Sequence, residues 1–448
     1  MPAIEQSAVR ERLLEALEAE VPSDVRTLLS ELHPADTADI LESLPPDQRR
    51  AVWAQVGLDA MGEILTEVSD GVRRDLLDAL DPKLLVSAVR GLDIDDIADL
   101  IPNLSEEVIA DIQLTVAKKA REGLDAVLSY PQDTAGGLMN VDTVTVRESL
   151  PLAVVLRYLR LRAELPEYTD KLFVVDRSNR LKGVLFVSTL LTADAAERVA
   201  EHVDSEPIKF NALTPDSDVA AAFERYNLIS APVVDDSNTL LGRITIDDVV
   251  DVIREEADHT VMARAGLDVE EDIFAPVARS TRSRAMWLGI NLITALIASW
   301  VILQFERTIE QLVALAVLMP IVASMGGNAG TQTLTIVIRG LGTGTIEPAN
   351  AWQVLKKEFL VGGLNGVLWA LAVALVAIVW YHNLHLALII GLAMMINIVA
   401  SAIAGVLLPV AFDRLGVDPA LASGVALTTV TDVIGFLSVL GLAALFLL

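Results

Sequence analysis

The spacing of apolar residues changes twice along the chain. Up to about residue 130, apolar positions recur at helical spacing in short runs broken by Pro or Gly, as in Leu32-His-Pro-Ala-Asp-Thr-Ala-Asp-Ile-Leu41, Leu44-Pro-Pro-Asp47, Leu80-Asp-Pro-Lys83 and Leu92-Asp-Ile-Asp-Asp-Ile-Ala-Asp-Leu100. Helices this short cannot bury their own faces and normally stack, which predicts an all-α superhelical N-terminal domain over residues 1–131. From residue 135 the pattern becomes that of strands. Val174-Val-Asp176 with Gly183 recurs as Val233-Val-Asp235 with Gly242, so residues 132–258 read as a pair of α/β modules in which strand, turn, strand and helix repeat. Residues 259–284 are expected to form a linking helix. Beyond them five apolar segments, Met286 to Gln304, Gln311 to Ile338, Phe359 to Trp380, Leu386 to Phe412 and Leu421 to Leu448, each reach the ~20 residues that cross a bilayer. The fold class is therefore a multidomain membrane protein whose residues 285–448 form an α-helical transmembrane domain of five spans.

Charge follows the same division. The chain holds 61 acids and 34 bases, a net charge of −27, yet from Ala285 onward there are only seven acids and five bases. The acidic surplus lies in the soluble part, where it repels nucleic acid and anionic headgroups and favours multivalent cations. Cys is absent, which removes disulfides and zinc–thiolate sites from consideration. The opening Met1-Pro-Ala-Ile-Glu-Gln lacks the apolar core of a signal peptide, so the N-terminus is expected in the cytoplasm. Arg279, Arg282, Arg284, Arg339, Lys356, Lys357 and Arg414 flank the spans on one side and Arg307 on the other. That asymmetry predicts a multi-pass protein of the plasma membrane with its soluble region inside and, after five crossings, its C-terminus outside. With no Walker loop and no nucleophile constellation, no enzymatic activity is expected.

Three groups of residues carry candidate chemistry. Asp432, in Thr428-Thr-Val-Thr-Asp-Val-Ile-Gly435, reads as the only ionisable residue deep within an apolar segment, and a carboxylate at that depth marks a wet cavity or a cation path. In the second span Pro320 and Gly326, Gly327 and Gly330, beside Asn328, Thr331 and Gln332, predict a broken helix whose carbonyls face water or a hydrated ion. The third group is acidic. Asp248, Asp251, Glu255 and Asp258 fall on one helical face, and Asp93, Asp95, Asp96 and Asp99 form a second cluster in the helical domain. Like charges at this spacing repel unless something neutralises them, and Mg²⁺ takes one or two carboxylates while keeping several waters. An ion-bridged interface between the clusters is expected, and without His or thiolate ligands it should not hold a transition metal tightly.

The repeated α/β unit resembles a tandem pair of CBS domains, in which a Ser/Thr followed three residues later by Asp commonly holds an adenosine ribose. The second copy keeps this pair as Thr245 and Asp248, whereas Phe186 and Thr189 occupy the equivalent positions of the first. Nucleotide is thus expected at one site at most, on Thr245 and Asp248. Four runs stand in one order along the chain: Asp133-Thr-Ala-Gly-Gly-Leu-Met139, the Pro320 to Gln332 run, Leu415-Gly-Val-Asp-Pro-Ala420 and Thr431-Asp432. Through them the chain resembles, over essentially its full length, the MgtE family of magnesium channels.

The resemblance implies a homodimer in lipid that admits Mg²⁺ down its electrochemical gradient through a pore between subunits. The implied pore residues are Asp432, Asn328, Gly326 and Gly327. It also implies closure by cytosolic Mg²⁺ at Asp248, Asp251, Glu255, Glu256, Asp258, Asp95, Asp96, Asp99, Glu63 and Gly137. Departures from the family pattern are Gly424 and Thr331 in place of amides, Asn227 in place of a sensor carboxylate, Leu228 in place of an aromatic that could stack on adenine, and His259 and Thr260 in place of acids. They predict altered sensor sites and weak ATP binding or none. The competing readings are a permease for Mn²⁺, Co²⁺ or Ni²⁺, which oxygen-only ligation disfavours, and a membrane-anchored nucleotide sensor, for which Asp432 would have no use.

Overall fold

The computed structural model describes residues 3–19, 21–115, 118–162, 165–264, 266–267, 272–347 and 349–447. They fall into two compact units, Met1–Ala257 with Glu270–Ala275, and Asp258–Val269 with Pro276–Leu448.

The first unit begins with the helices α1 (Ala3–Glu18), α2 (Pro22–Ser30), α3 (Pro34–Glu42), α4 (Pro46–Trp53), α5 (Leu58–Glu67), α6 (Asp70–Asp78), α7 (Pro82–Ala88), α8 (Ile94–Leu100), α9 (Glu106–Thr115) and α10 (Lys118–Val127). Prolines that look like breakers are starters here. Pro22, Pro34, Pro46 and Pro82 occupy the first turn of α2, α3, α4 and α7, where a missing N–H costs nothing. Asp81 caps α7 by accepting from the Lys83 N–H at 2.8 Å. Helices of seven to ten residues are marginal alone, and they are held by a shared core that includes Leu41, Leu44, Val52, Ile64, Leu65 and Leu76. The Arg49 guanidinium is fully buried in this domain. It donates to the Leu41 carbonyl at 3.0 Å and to Asp272 Oδ2 at 2.8 Å, which ties Asp272 to the helical domain.

The α/β pair follows as β1 (Thr145–Val146), α11 (Leu152–Leu161), β2 (Lys171–Val175), β3 (Leu181–Phe186) and α12 (Val187–Thr192), then β4 (Phe210–Asn211), α13 (Asp216–Tyr226), β5 (Ser230–Val234), β6 (Leu240–Thr245) and α14 (Ile246–Arg264). Each module is a three-stranded sheet with one parallel and one antiparallel pairing, in order β1-β2-β3 and β4-β5-β6. The sequence repeat is preserved in register: Val174 faces Gly183 and Val233 faces Gly242. The two turns interlock. Asn179 and Asn238, both left-handed at φ 60° and 62°, donate their side-chain amides to the Leu240 and Leu181 carbonyls at 2.9 and 2.7 Å.

The stretch expected as one linking helix is divided. Residues 259–264 complete α14, and 277–284 begin the next helix, α15 (Val277–Leu303). Between them Gly266, at φ +67°, closes α14, with Leu267 N–H bonded to the Met262 carbonyl at 3.0 Å and Gly266 N–H to Ala263 at 2.9 Å. Residues 265 and 268–271 of the expected linker lie outside the described residues.

The second unit contains five helices long and apolar enough to span a membrane: α15, then, after the short α16 (Glu306–Gln311), α17 (Ala314–Gly342), α18 (Ala351–Tyr381), α19 (Leu384–Arg414) and α20 (Pro419–Phe446). Asn383 and Asp418 cap α19 and α20 through backbone N–H groups at 2.8–3.2 Å. α19 is the most enclosed and α15 the least, with Ala298 its only buried residue among those described. The expectation of a broken second span is corrected: α17 is continuous through Pro320 and its glycines. Unwound backbone at this depth would leave several polar groups without partners, whereas a continuous helix leaves Pro320 to forfeit one bond. The glycines serve close packing instead. A Cβ on Gly330 would lie 2.9 Å from the Leu427 side chain, and one on Gly405 would lie 2.9 Å from the Gly330 carbonyl oxygen.

Candidate functional site

In the membrane unit, α17 presents Ser324, Asn328, Thr331 and Gln332 as an exposed polar stripe, their spacing placing them on one face. On α20, Thr428 is exposed and Asp432 half-buried. The helices meet in an antiparallel register with steps of about one helical turn. Position Gly435 lies 3.5 Å from Ala323 Cα, Gly327 lies 3.9 Å from Thr431 Oγ1 and Gly330 meets Leu427, all measured from where a Cβ would stand. The contact at Gly327 thus adjoins Asp432. The hydroxyls of Thr331, Thr428 and Thr431 donate to the carbonyls of Gly327, Gly424 and Thr428 at 2.9–3.0 Å, which leaves their oxygens as acceptors. Of the residues expected in the pore, Gly327 sits against α20 beside Asp432 and Asn328 lies on the exposed stripe. Gly326 is buried against Asn397.

Asp432 is not the only ionisable group inside a span. Glu358, 4 % exposed, lies within α18 because that helix starts at Ala351, earlier than the apolar run. It accepts from Thr333 Oγ1 at 3.1 Å and pairs with Lys357 Nζ at 3.2 Å. Asn397 is fully buried and donates to the Val322 carbonyl at 2.9 Å. The apolar pattern hides both, since a single polar residue on a long apolar helix disturbs no periodicity.

In the first unit the acidic clusters converge. Asp95 is buried, and burial with the charges of Asp96 and Asp93 pushes its carboxyl up to about 7. Burial also raises Asp96 and Asp99 to about 6, with Asp93 and Asp99 adding to Asp96, and with Asp70 and Asp251 adding to Asp99 against an opposing Arg73. On α14, burial and then Asp95 push Asp248 well above the carboxylate range. Asp251 and Glu255 are raised by burial, Glu255 also by Asp70, Asp251 and Asp99. Glu67 on α5 rises through burial and Asp251. These mutual effects place acids of the helical domain opposite acids of α14.

Asn140, immediately after the Asp133–Met139 run, holds the helical-domain cluster by donating to Asp93 at 3.0 Å and Asp95 at 3.2 Å, a role the sequence did not reveal. Glu63 is exposed on α5, one turn before Glu67, and Gly137 is buried where a Cβ would meet the Pro131 and Gln132 carbonyls at 2.5 and 2.6 Å. Glu256 and Asp258 are exposed on α14, Asp258 within the second unit. Among the described residues, no three such side chains come close enough to enclose an ion by themselves. The donor set instead suits hydrated hard cations that touch one or two carboxylates each.

At the second α/β module, buried Thr245 donates to Asp248 at 3.2 Å, and Asp248 faces Asp95 and Asp247. A nucleotide phosphate would enter a strongly acidic surrounding. Phe186 is partly exposed under Lys171, 5.5 Å from the ring centre, and Asn227 ends α13 in the left-handed conformation at φ 52°. Tyr168, 47 % exposed, stands near Asp247 and Asp248, whose charges raise its phenol. It is an aromatic face that the sequence reading passed over. His259 Nε2 lies 3.7 Å from Asp418 Oδ2 at the start of α20, and Ala263 packs with Leu334, Ile338, Ala420 and Leu427.

Comparison with known proteins gives concordant matches. The profile described as a divalent cation transporter, MgtE, matches residues 319–442, that of the MgtE intracellular N domain residues 32–133, and that of the CBS domain residues 135–196 and 199–255. The magnesium transporter MgtE of Bacillus subtilis is 30% identical over 95% of this chain and 94% of its own length. That of Thermus thermophilus is 33% identical over 97% and 98%. A crystal structure of the cytosolic domain of the Mg²⁺ channel MgtE in complex with ATP covers 54% of this chain and 99% of its own, at 32% identity and a TM-score of 0.50.

Proposed function

The chain belongs to the MgtE family of magnesium transporters, and on that premise we propose that it is a Mg²⁺ channel that admits the ion into the cytoplasm and closes when cytosolic Mg²⁺ rises. One observation carries the reading: a polar stripe on α17 lies beside the Thr431–Asp432 turn of α20 on an exposed face of the membrane unit. Lipid cannot cover a carboxylate there at low cost. A second copy of the chain can, enclosing a wet path between the two stripes. Asp432 supplies charge to the path, while Asn328 and the threonine oxygens accept from the waters that Mg²⁺ gives up reluctantly. Basic residues at the ends of α15, α17, α18 and α19 support an inward-facing soluble region and an external C-terminus.

Gating follows from the facing acids. Asp95, Asp96 and Asp99 opposite Asp248, Asp251 and Glu255 repel in the compact arrangement, and bound Mg²⁺ relieves that repulsion, so the arrangement is favoured in proportion to the ion's preference for it. α14 carries Asp248 and Asp251 near its start and Ala263 near its end, where it packs on α17 and α20, so loosening of the acidic face is transmitted to the pore helices. ATP is expected to have little part in this, because the Thr245–Asp248 pair is engaged internally among acids. The test is growth of a bacterium that depends on this chain for Mg²⁺. Wild type should support growth at limiting Mg²⁺ and Asp432→Ala should not; growth with Asp432→Ala would overturn the reading.

A further inference from the structure

We propose that Asn397 is a positioning residue of the ion pathway, setting the α17–α20 contact that places Asp432; this rests on the pore reading above. Asn397 lies midway along α19, the central helix, and is fully buried. Its Nδ2 donates to the Val322 carbonyl of α17 at 2.9 Å, while its Oδ1 is buried without a partner. An amide held this way inside a membrane unit is expensive, and an apolar side chain would fill the space without that cost. What the amide does instead is meet both pore helices at glycines. A Cβ on Gly326 of α17 would overlap it, and a Cβ on Gly435 of α20 would come within 2.9 Å of its Nδ2.

These glycines flank the ion stripe. Gly326 precedes Gly327, and Gly435 lies one turn beyond Thr431, on the same face of α20. The α17–α20 register reads Ala323 with Gly435, Gly327 with Thr431 and Gly330 with Leu427, and Asn397 is inserted at the first of these steps. The side chain therefore fixes how closely the helices approach one turn from Asp432. On this account the absence of a side chain at Gly326 is required by Asn397, not by an ion.

An exchange of volume between the partners tests this. In Mg²⁺ uptake by proteoliposomes, Gly326→Ala and Gly435→Ala should each cut the rate by about tenfold, because the added methyl displaces the helices. Combining either with Asn397→Ala, which vacates the space, should restore at least about a third of the wild-type rate, since residues in contact couple. Double variants no better than the glycine singles would overturn the proposal. Asn397→Ala alone should raise the half-saturating Mg²⁺ concentration several-fold, because the site moves; a lower maximal rate with an unchanged half-saturating concentration would mean a purely structural role and would also overturn it. Should Asn397→Ala not fold, Asn397→Ser enters the same pairs under the same criteria. Asp432→Ala is run alongside: if it conducts like wild type, the pore reading falls and this proposal with it, whereas failed rescue with an inactive Asp432→Ala removes the Asn397 role alone.

Discussion

Burial and mutual repulsion hold the Asp95 carboxyl up at about 7 and those of Asp96 and Asp99 at about 6, which gives the soluble region a definite pH dependence. The folded state binds these protons more tightly than the unfolded chain does, so stability is highest where both states are protonated and falls as pH rises through the window from about 4 to about 7. Thermal unfolding of the soluble region in a chelator should show a midpoint several degrees lower at neutral pH than at pH ~5, and millimolar Mg²⁺ should remove most of that loss. A midpoint that rises with pH, or that ignores Mg²⁺, would contradict this. Glu358 is a second case. Glu358→Gln keeps an acceptor for Thr333 and should be tolerated, while Glu358→Ala strands the hydroxyl and should cost about 1 kcal/mol in detergent-solubilised protein, measured by thermal unfolding. Asp432 and the acidic runs were legible in the sequence because charge stands out against its surroundings. Glu358, Asn140 and Asn397 were not, because what singles them out is burial and a partner distant in the chain.

At the scale of elements, the five spans and the duplicated strands followed from hydrophobic length and from a repeat whose turns interlock through Asn179 and Asn238. The second span did not. Pro and Gly weaken a helix in water, but at membrane depth the cost of free backbone groups outweighs their preference, and the same glycines become contact points. Gly405 tests that reversal. Gly405→Val should drive its side chain into the Gly330 carbonyl and Thr333 and destabilise the membrane unit by about 1–3 kcal/mol, where a glycine serving only flexibility would gain from the change. The linker also differs from a single helix, since Gly266 ends α14 through a left-handed turn inside the stretch expected to be helical. For the α/β pair, calorimetry on the soluble region should find ATP binding weak or undetectable, with Tyr168 and the acids around Asp248 opposing one another. Tight binding, with a dissociation constant in the low micromolar range or below, would show that the aromatic face outweighs the charge.

For the whole molecule, the proposed mechanism links an acidic soluble region through α14 to a path between two copies of the membrane unit. Several weakly held ions acting together are needed to move such a closed–open equilibrium by several kcal/mol, so closure should be steep in Mg²⁺. Neutralising Asp95, Asp96, Asp99, Asp248 and Asp251 together should flatten that response and remove the protection from limited proteolysis that millimolar Mg²⁺ gives wild type, while leaving conduction intact. Whether Asp432 carries the ion is decided by Mg²⁺ flux in proteoliposomes under an imposed membrane potential, with wild type beside Asp432→Ala and Asp432→Asn. Uptake by wild type should follow the electrochemical gradient, Asp432→Ala should show none, and Asp432→Asn should show reduced apparent affinity with the oligomeric state of wild type. Flux through Asp432→Ala equal to wild type, or no potential-driven Mg²⁺ flux in wild type at low Mg²⁺ on the cytoplasmic side, would contradict the proposed mechanism.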